Sequence, residues 1–121
     1  MKVIYSNQPR SINTGHNFAL YEYDLDRDYD INAFRLELDT GRYPKFGSLL
    51  NEKSKQVIFV ADGYGKIYIN GEKFDLRRHD LVYLYKEDKY YFEDVSNLYL
   101  FLVYTPPWTE SQEKFDPELQ K

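Results

Sequence analysis

Gln56-Val-Ile-Phe-Val-Ala-Asp-Gly-Tyr-Gly-Lys-Ile-Tyr-Ile-Asn-Gly71 and Leu98-Tyr-Leu-Phe-Leu-Val-Tyr-Thr-Pro-Pro-Trp108 are the two runs that decide how this chain is read. Both are apolar stretches punctuated by Gly, Asp, Asn and Pro, the pattern of strands joined by turns. In the first, Gln56 to Ala61 reads as a strand, Asp62-Gly63-Tyr64-Gly65 as a turn, and Lys66 to Ile69 as the return strand. Asn70-Gly71 is a strong hairpin signal, because both residues tolerate the positive φ of tight turns. Glu72 to Leu76 and Leu81 to Tyr85 follow as strands, separated by a turn at Arg77 to Asp80. After a charged loop at Lys86 to Lys89, Tyr90 to Glu93 and Asn97 to Tyr104 are the last two strands. Pro106-Pro107 ends the sheet, since neither residue can donate to a ladder.

Upstream, the alternation of Phe34, Leu36 and Leu38 with Arg35 and Glu37 marks Ile31 to Leu38 as a half-buried antiparallel strand. Asn17 to Asp24 alternates more weakly and also reads as a strand, with an acidic turn from Leu25 to Asp30 between the two. Residues 2–5 are expected to form a short edge strand, and the polar residues 6–16 a loop. Residues 46–55 are polar and give no strand signal. Many short strands without a convincing helix imply an all-β sandwich or jelly roll. The expected organisation is one domain: N-terminal strands and loop over 1–33, a barrel core over 34–108, and a charged tail over 109–121, either a short helix or unstructured.

Composition narrows the function. The 121 residues are 42% hydrophobic and 30% charged, as in an ordinary globular protein. A net charge of −4 argues against general nucleic-acid binding, which relies on Lys and Arg contacts to phosphates. No apolar run approaches the roughly 20 residues that span a bilayer. The N-terminus lacks the apolar core of a secretory signal, so a cytoplasmic location is the expectation. Without cysteine there is no disulfide and no thiolate metal site. The unusual figure is 18% aromatic residues, with 13 Tyr and 8 Phe. Tyrosine can line a wet pocket with its ring while keeping a polar tip.

The order of these pieces resembles the cupin superfamily, specifically a small single-domain cupin, over roughly residues 34–108. Phe34 to Gly41 followed by Pro44 looks like the strand and turn before the first cupin motif, and Val57 to Gly71 like the hairpin that ends it. Asp80-Leu-Val-Tyr-Leu84 looks like the opening of the second motif, and Tyr104-Thr-Pro-Pro-Trp108 like the close of the last strand. The resemblance implies a double-stranded β-helix, the jelly-roll cupin barrel. It also implies a metal centre of three histidines and a glutamate, and here this sequence departs. Those positions fall on Leu49, Asn51, Gln56 and Tyr90, which do not make a usual ligand set. The expectation is therefore a barrel with no metal and no cofactor.

Other motifs carry less. Asp26 to Glu37 matches a calcium-binding EF-hand loop except at its sixth position, where Ile31 replaces the required glycine, and it reads as an acidic hairpin turn. Gly63 and Gly65 lie in a β-hairpin with no following helix and make no nucleotide fingerprint. His16 and His79 are the only histidines, one in a loop and one in a turn.

The leading expectation is a small-molecule binding or sensing module for a neutral or sugar-like ligand. Its ligand-binding residues are expected to be Asn51, Gln56, Ile58, Tyr90 and Phe92, with Asn51, Gln56 and Tyr90 ringing the position a metal would take. A competing arrangement has Gln56 and Tyr90 bonded to each other and filling the barrel. The enzymatic alternative is a metal-independent sugar-nucleotide isomerase or epimerase, which needs His16 or His79 beside a pocket tyrosine. A third expectation is a homodimer formed through the sheets.

Overall fold

In the computed structural model, which describes residues 2–25 and 30–117, two long strands carry the architecture. β5 spans Lys55–Ile69 and β8 spans Tyr90–Thr105. They pair antiparallel over almost their whole length, from Lys55 opposite Thr105 to Ile69 opposite Tyr90. On its other side β8 pairs with β3, Asn32–Tyr43, which continues outward to β2, Phe18–Tyr23, and β1, Arg10–Thr14. β6, Glu72–Arg77, and β7, Leu81–Leu84, fold back along the two halves of β5. β4, Ser48–Asn51, bridges β8 to β9, Glu113–Asp116. The curled sheet wraps around its own inner face. Among the described residues no helix is long and apolar enough to cross a membrane.

The alternation read from the sequence is the alternation that packs. Phe34, Leu36 and Leu38 of β3 are buried, as are Ile58 and Val60 of β5 and Leu98, Leu100 and Leu102 of β8. Each such side chain contributes about 1.5–3 kcal/mol by leaving water, so these three strands hold most of the core.

Four expectations change. Residues 2–5 form no strand, and the N-terminal edge strand is β1, inside the segment expected to be a loop. Its one apolar residue, Ile12, packs against the core, which leaves a faint signal in a polar run. Asp62-Gly63-Tyr64-Gly65 is not a turn. β5 continues through it as one strand, with bulge-like register shifts against β8 between Val60 and Lys66 that bend the pair. Gly63 sits at φ +81°, and a Cβ there would overlap the Asn97 carbonyl, so the glycine admits the neighbouring strand rather than reversing the chain. β8 matches the bend with Asp94 and Asn97 at positive φ, so Tyr90–Glu93 and Asn97–Tyr104 form one strand rather than two.

The polar segment 46–55 contains β4, and the charged tail contains a 3₁₀ turn at Glu110–Gln112 followed by β9. A single buried amide fastens this end. Gln112, only 2% exposed, accepts from the amides of Lys53 at 3.0 Å and Ser54 at 2.8 Å. Its Nε2 donates to Ser54 Oγ at 2.8 Å, and Ser54 Oγ donates to the Pro106 carbonyl at 2.6 Å. Residues 26–29, the middle of the expected acidic turn Leu25 to Asp30 and the first four positions of the calcium-loop match, lie outside the described residues.

Removing the Gln112 carboxamide leaves two backbone amides unanswered near the barrel mouth. Only the Ser54 amide is fully buried, and one unpaired buried donor costs about 1–3 kcal/mol. Gln112→Ala is therefore expected to lower the thermal midpoint by roughly 10 °C, at about 4–8 °C per kcal/mol for a small domain. An unchanged midpoint in differential scanning calorimetry would contradict this role.

Candidate functional site

The pairing of β5 with β8 sets Gln56 directly opposite Tyr104, while the far end of β8 carries Tyr90 beside Leu49 of β4. All three polar side chains point inward and are nearly sealed from solvent: Gln56 at 2%, Tyr90 at 4% and Tyr104 at 5% exposed. Gln56 Nε2 donates to the Tyr104 hydroxyl at 3.0 Å. The Tyr90 hydroxyl lies near both Gln56 and Tyr104. Gln56 Oε1 has no hydrogen-bond partner. A buried carboxamide fixed through its nitrogen thus presents a free acceptor.

Above this floor lies a cavity of about 370 Å³. Gln56 hydrogen-bonds to Tyr104, where the filled-barrel arrangement paired it with Tyr90, and a cavity remains over them. Apolar walls come from Leu20, Phe34, Leu36, Phe92 and Leu102. Phe34 packs edge-on against Tyr104 and Trp108, with ring centroids 5.4 and 5.6 Å apart. Asn32 secures Trp108 through its backbone, donating to its carbonyl at 3.1 Å and accepting from its amide at 2.9 Å. The rim carries Arg10 and Glu22 from the N-terminal strands, and Glu110 and Glu113 from the C-terminal segment.

Glu113 dominates the electrostatics. Burial raises its carboxyl above the usual range, the neighbouring Glu110 charge pushes the same way, and the Trp108 indole partly opposes them. The Trp108 N–H faces this carboxylate without completing a full hydrogen bond. The Glu113 charge is also felt by Tyr43, Tyr90 and Tyr104. Burial first, and that charge second, push the Tyr43 hydroxyl up to about 12. Tyr90 is raised further, by burial and then Glu113, and Tyr104 by burial and then Tyr90. The three phenols are therefore neutral at ordinary pH and serve as hydrogen-bonding groups, not as bases.

Of the five residues expected to bind ligand, Gln56, Tyr90 and Phe92 line this cavity together. Asn51 and Ile58 are buried but do not line it. Ile58 sits on the inner face of β5 in the core. Asn51 pairs with Glu113 across β4 and β9. Neither histidine reaches the cavity. His16 is exposed, and His79 is an exposed turn residue whose ring stacks on Phe59 at 6.2 Å. The histidine–tyrosine acid–base arrangement therefore has no counterpart here. Among the described residues no three His, Cys, Asp or Glu side chains cluster in a way that could hold a metal.

Sequence reasoning missed Tyr43, Glu113 and the charged rim as site residues. Tyr104 and Trp108 were visible, but only as markers of a strand end. Glu113 lay in a segment that reads as a solvated tail, and nothing in its neighbourhood signals a strand.

No protein-family model matches the chain, and no curated protein matches it in sequence. Solved structures do. Pac13, described as a unique nucleoside dehydratase, superposes with a TM-score of 0.79 at 20% identity, covering 98% of this chain and 94% of its own. A variant of the Streptomyces protein with uridine gives a TM-score of 0.80 at 21% identity, over 98% and 93% of the two chains. Ectoine synthase from P. lautus gives 0.75 at 17% identity, over 100% and 92%. An RmlC-like cupin from Shewanella frigidimarina gives 0.72 at 15% identity, over 89% and 92%. At these identities the likeness concerns the fold, and the fold is a cupin-type β-barrel.

Proposed function

We propose that the cavity binds an uncharged, hydroxyl- or amide-bearing ring compound of nucleoside or sugar size. The observation that carries this reading is the orphan Gln56 Oε1 beneath an open, aromatic-walled cavity. Leaving a buried acceptor unanswered is costly, by about 1–3 kcal/mol. A ligand N–H or O–H placed over the floor would remove that cost. Tyr90 and Phe92 would bracket the ligand, and the Trp108 indole would offer a donor from the rim. A volume of about 370 Å³ lies within the usual range for small-molecule pockets, about 300–1,000 Å³. The likeness to a barrel studied with uridine supports a ring of that size.

Catalysis in the same cavity would rest on Glu113. A carboxyl held above its ordinary range exchanges protons more readily near neutrality than a solvated one. With the tyrosines held neutral, Glu113 is the group on hand to take up or release a proton beside a bound ring.

A second reading concerns assembly, and the outer face of the sheet favours it. Val57, Phe59, Leu81, Tyr83, Tyr99 and Phe101 are each more than a third exposed. They are neighbours across strands: Phe59 lies opposite both Leu81 and Phe101, and Val57 opposite Tyr83. A monomer's largest apolar patch is ordinarily about 300–600 Å², and larger ones mark interfaces. The partner proposed is a second copy of this chain. The six patch residues carry no charge, so the patch meets itself without charge conflict, as a two-fold interface requires. Arg35 and Glu37, paired at 3.0 Å, flank it on β3.

Two measurements check these readings. In calorimetric titrations with uridine, adenosine and D-glucose, at least one is expected to bind, and Gln56→Met to weaken it at least tenfold while the protein stays folded. Silence from all three, or unchanged affinity in the variant, would remove the binding reading. In sedimentation velocity the protein is expected to run as a dimer at micromolar concentration and Phe59→Lys with Phe101→Glu as a monomer. A monomeric parent protein would refute the assembly reading.

A further inference from the structure

The cavity's charge makes a demand on the ligand that its shape does not. Four groups at its rim carry charge, Arg10, Glu22, Glu110 and Glu113, and Arg10 is the only cation among the described residues that line it. Arg10 is already answered, since its guanidinium lies 2.5 Å from Glu22 Oε1. Glu110 and Glu113 have no such cation beside them in the cavity wall, and the two carboxylates sense each other. The mouth is therefore negative. The floor points the same way, because the unpartnered group there, Gln56 Oε1, is an acceptor that is 2% exposed. The floor acceptor and the rim carboxylates ask the ligand for donors, the Trp108 indole N–H asks for a single acceptor, and the carboxylates reject added negative charge.

We propose that the cavity selects unphosphorylated, hydrogen-bond-donating ring compounds, nucleosides or free sugars, over nucleotides and sugar phosphates. The inference rests on the reading of this cavity as a ligand site. A phosphate carried in on the ligand would bring about −2 charge and only acceptor oxygens toward Glu110 and Glu113. Glu110 is exposed, so that repulsion acts at low salt and is screened as salt rises. A specific phosphate site would instead need a free Arg, a Lys or a set of backbone amides aimed at it, and the one cation in the lining is engaged.

The test is a paired calorimetric titration of the full chain with uridine and with uridine 5′-monophosphate at low salt. It is repeated at about 300 mM salt, where screening is stronger, and with the Glu110→Gln, Glu113→Gln double variant. Uridine is expected to bind at least tenfold more tightly than its monophosphate. The gap is expected to narrow at least threefold both in high salt and in the double variant. Equal affinities, or a tighter monophosphate, would overturn the selectivity and leave the binding site standing. A gap that ignores both salt and the variant would overturn the role of the carboxylates. Should the variant not fold, the salt series decides alone. If neither compound binds, the nucleoside reading of the cavity falls, and this inference with it.

Discussion

The antiparallel pairing of β5 with β8 is the constraint on which the other features depend. Fifteen residues of one strand lie against sixteen of the other, and the pair bends without separating. The bend needs Gly63, because only a residue without a Cβ lets the Asn97 carbonyl come so near. Once the bend is made, one end of the ladder sets Gln56 against Tyr104 and the other places Tyr90, and the inner faces of both strands enclose the cavity floor. The same register, read on the outer faces, aligns Phe59 with Phe101 and with Leu81 of β7. Pocket and patch are thus two faces of one pairing.

The polar floor is held by burial and hydrogen bonds. Three nearly sealed polar groups in an apolar core would be costly if unpaired. Gln56 and Tyr104 answer each other, Tyr90 lies beside them, and the Gln56 Oε1 acceptor is left over. Burial keeps the phenols protonated, and the Glu113 charge reinforces this. The rim is built from the two ends of the described chain. β1 and β2 bring Arg10 and Glu22, while the segment fastened by Gln112 brings Glu110 and Glu113. Chemistry at the mouth therefore depends on the elements with the faintest sequence signals.

That dependence explains what was legible. The alternation in β3, β5 and β8 reads directly from Phe34 to Leu38, Gln56 to Val60 and Leu98 to Tyr104, because a half-buried strand has a period of two. The strand pattern indicates a sandwich or jelly roll, and the resemblance of four motifs to the cupin family indicates a cupin-type barrel. Gln56 and Tyr90 are placed near one another by the cupin resemblance, which sets both on metal-ligand positions, and Phe92 by sharing a strand face with Tyr90. Asn51 was harder. It belongs to a four-residue strand in a polar segment, where a one-residue slip moves a side chain to the other face. The reading of Asp62 to Gly65 as a turn failed because glycine serves a bulge as well as a reversal, and only the neighbouring strand distinguishes them. Glu113 was illegible because β9 is specified by pairing with β4 and by the buried Gln112, not by its own pattern.

The central claim is that Gln56, Tyr90 and Tyr104 form the floor of a ligand cavity rather than a polar plug. A crystal structure grown with saturating uridine tests it most directly. The account predicts density for the ring above Tyr90, with a ligand N–H or O–H within hydrogen-bond distance of Gln56 Oε1. A cavity holding only water, or with its floor side chains rotated to fill it, would contradict the account.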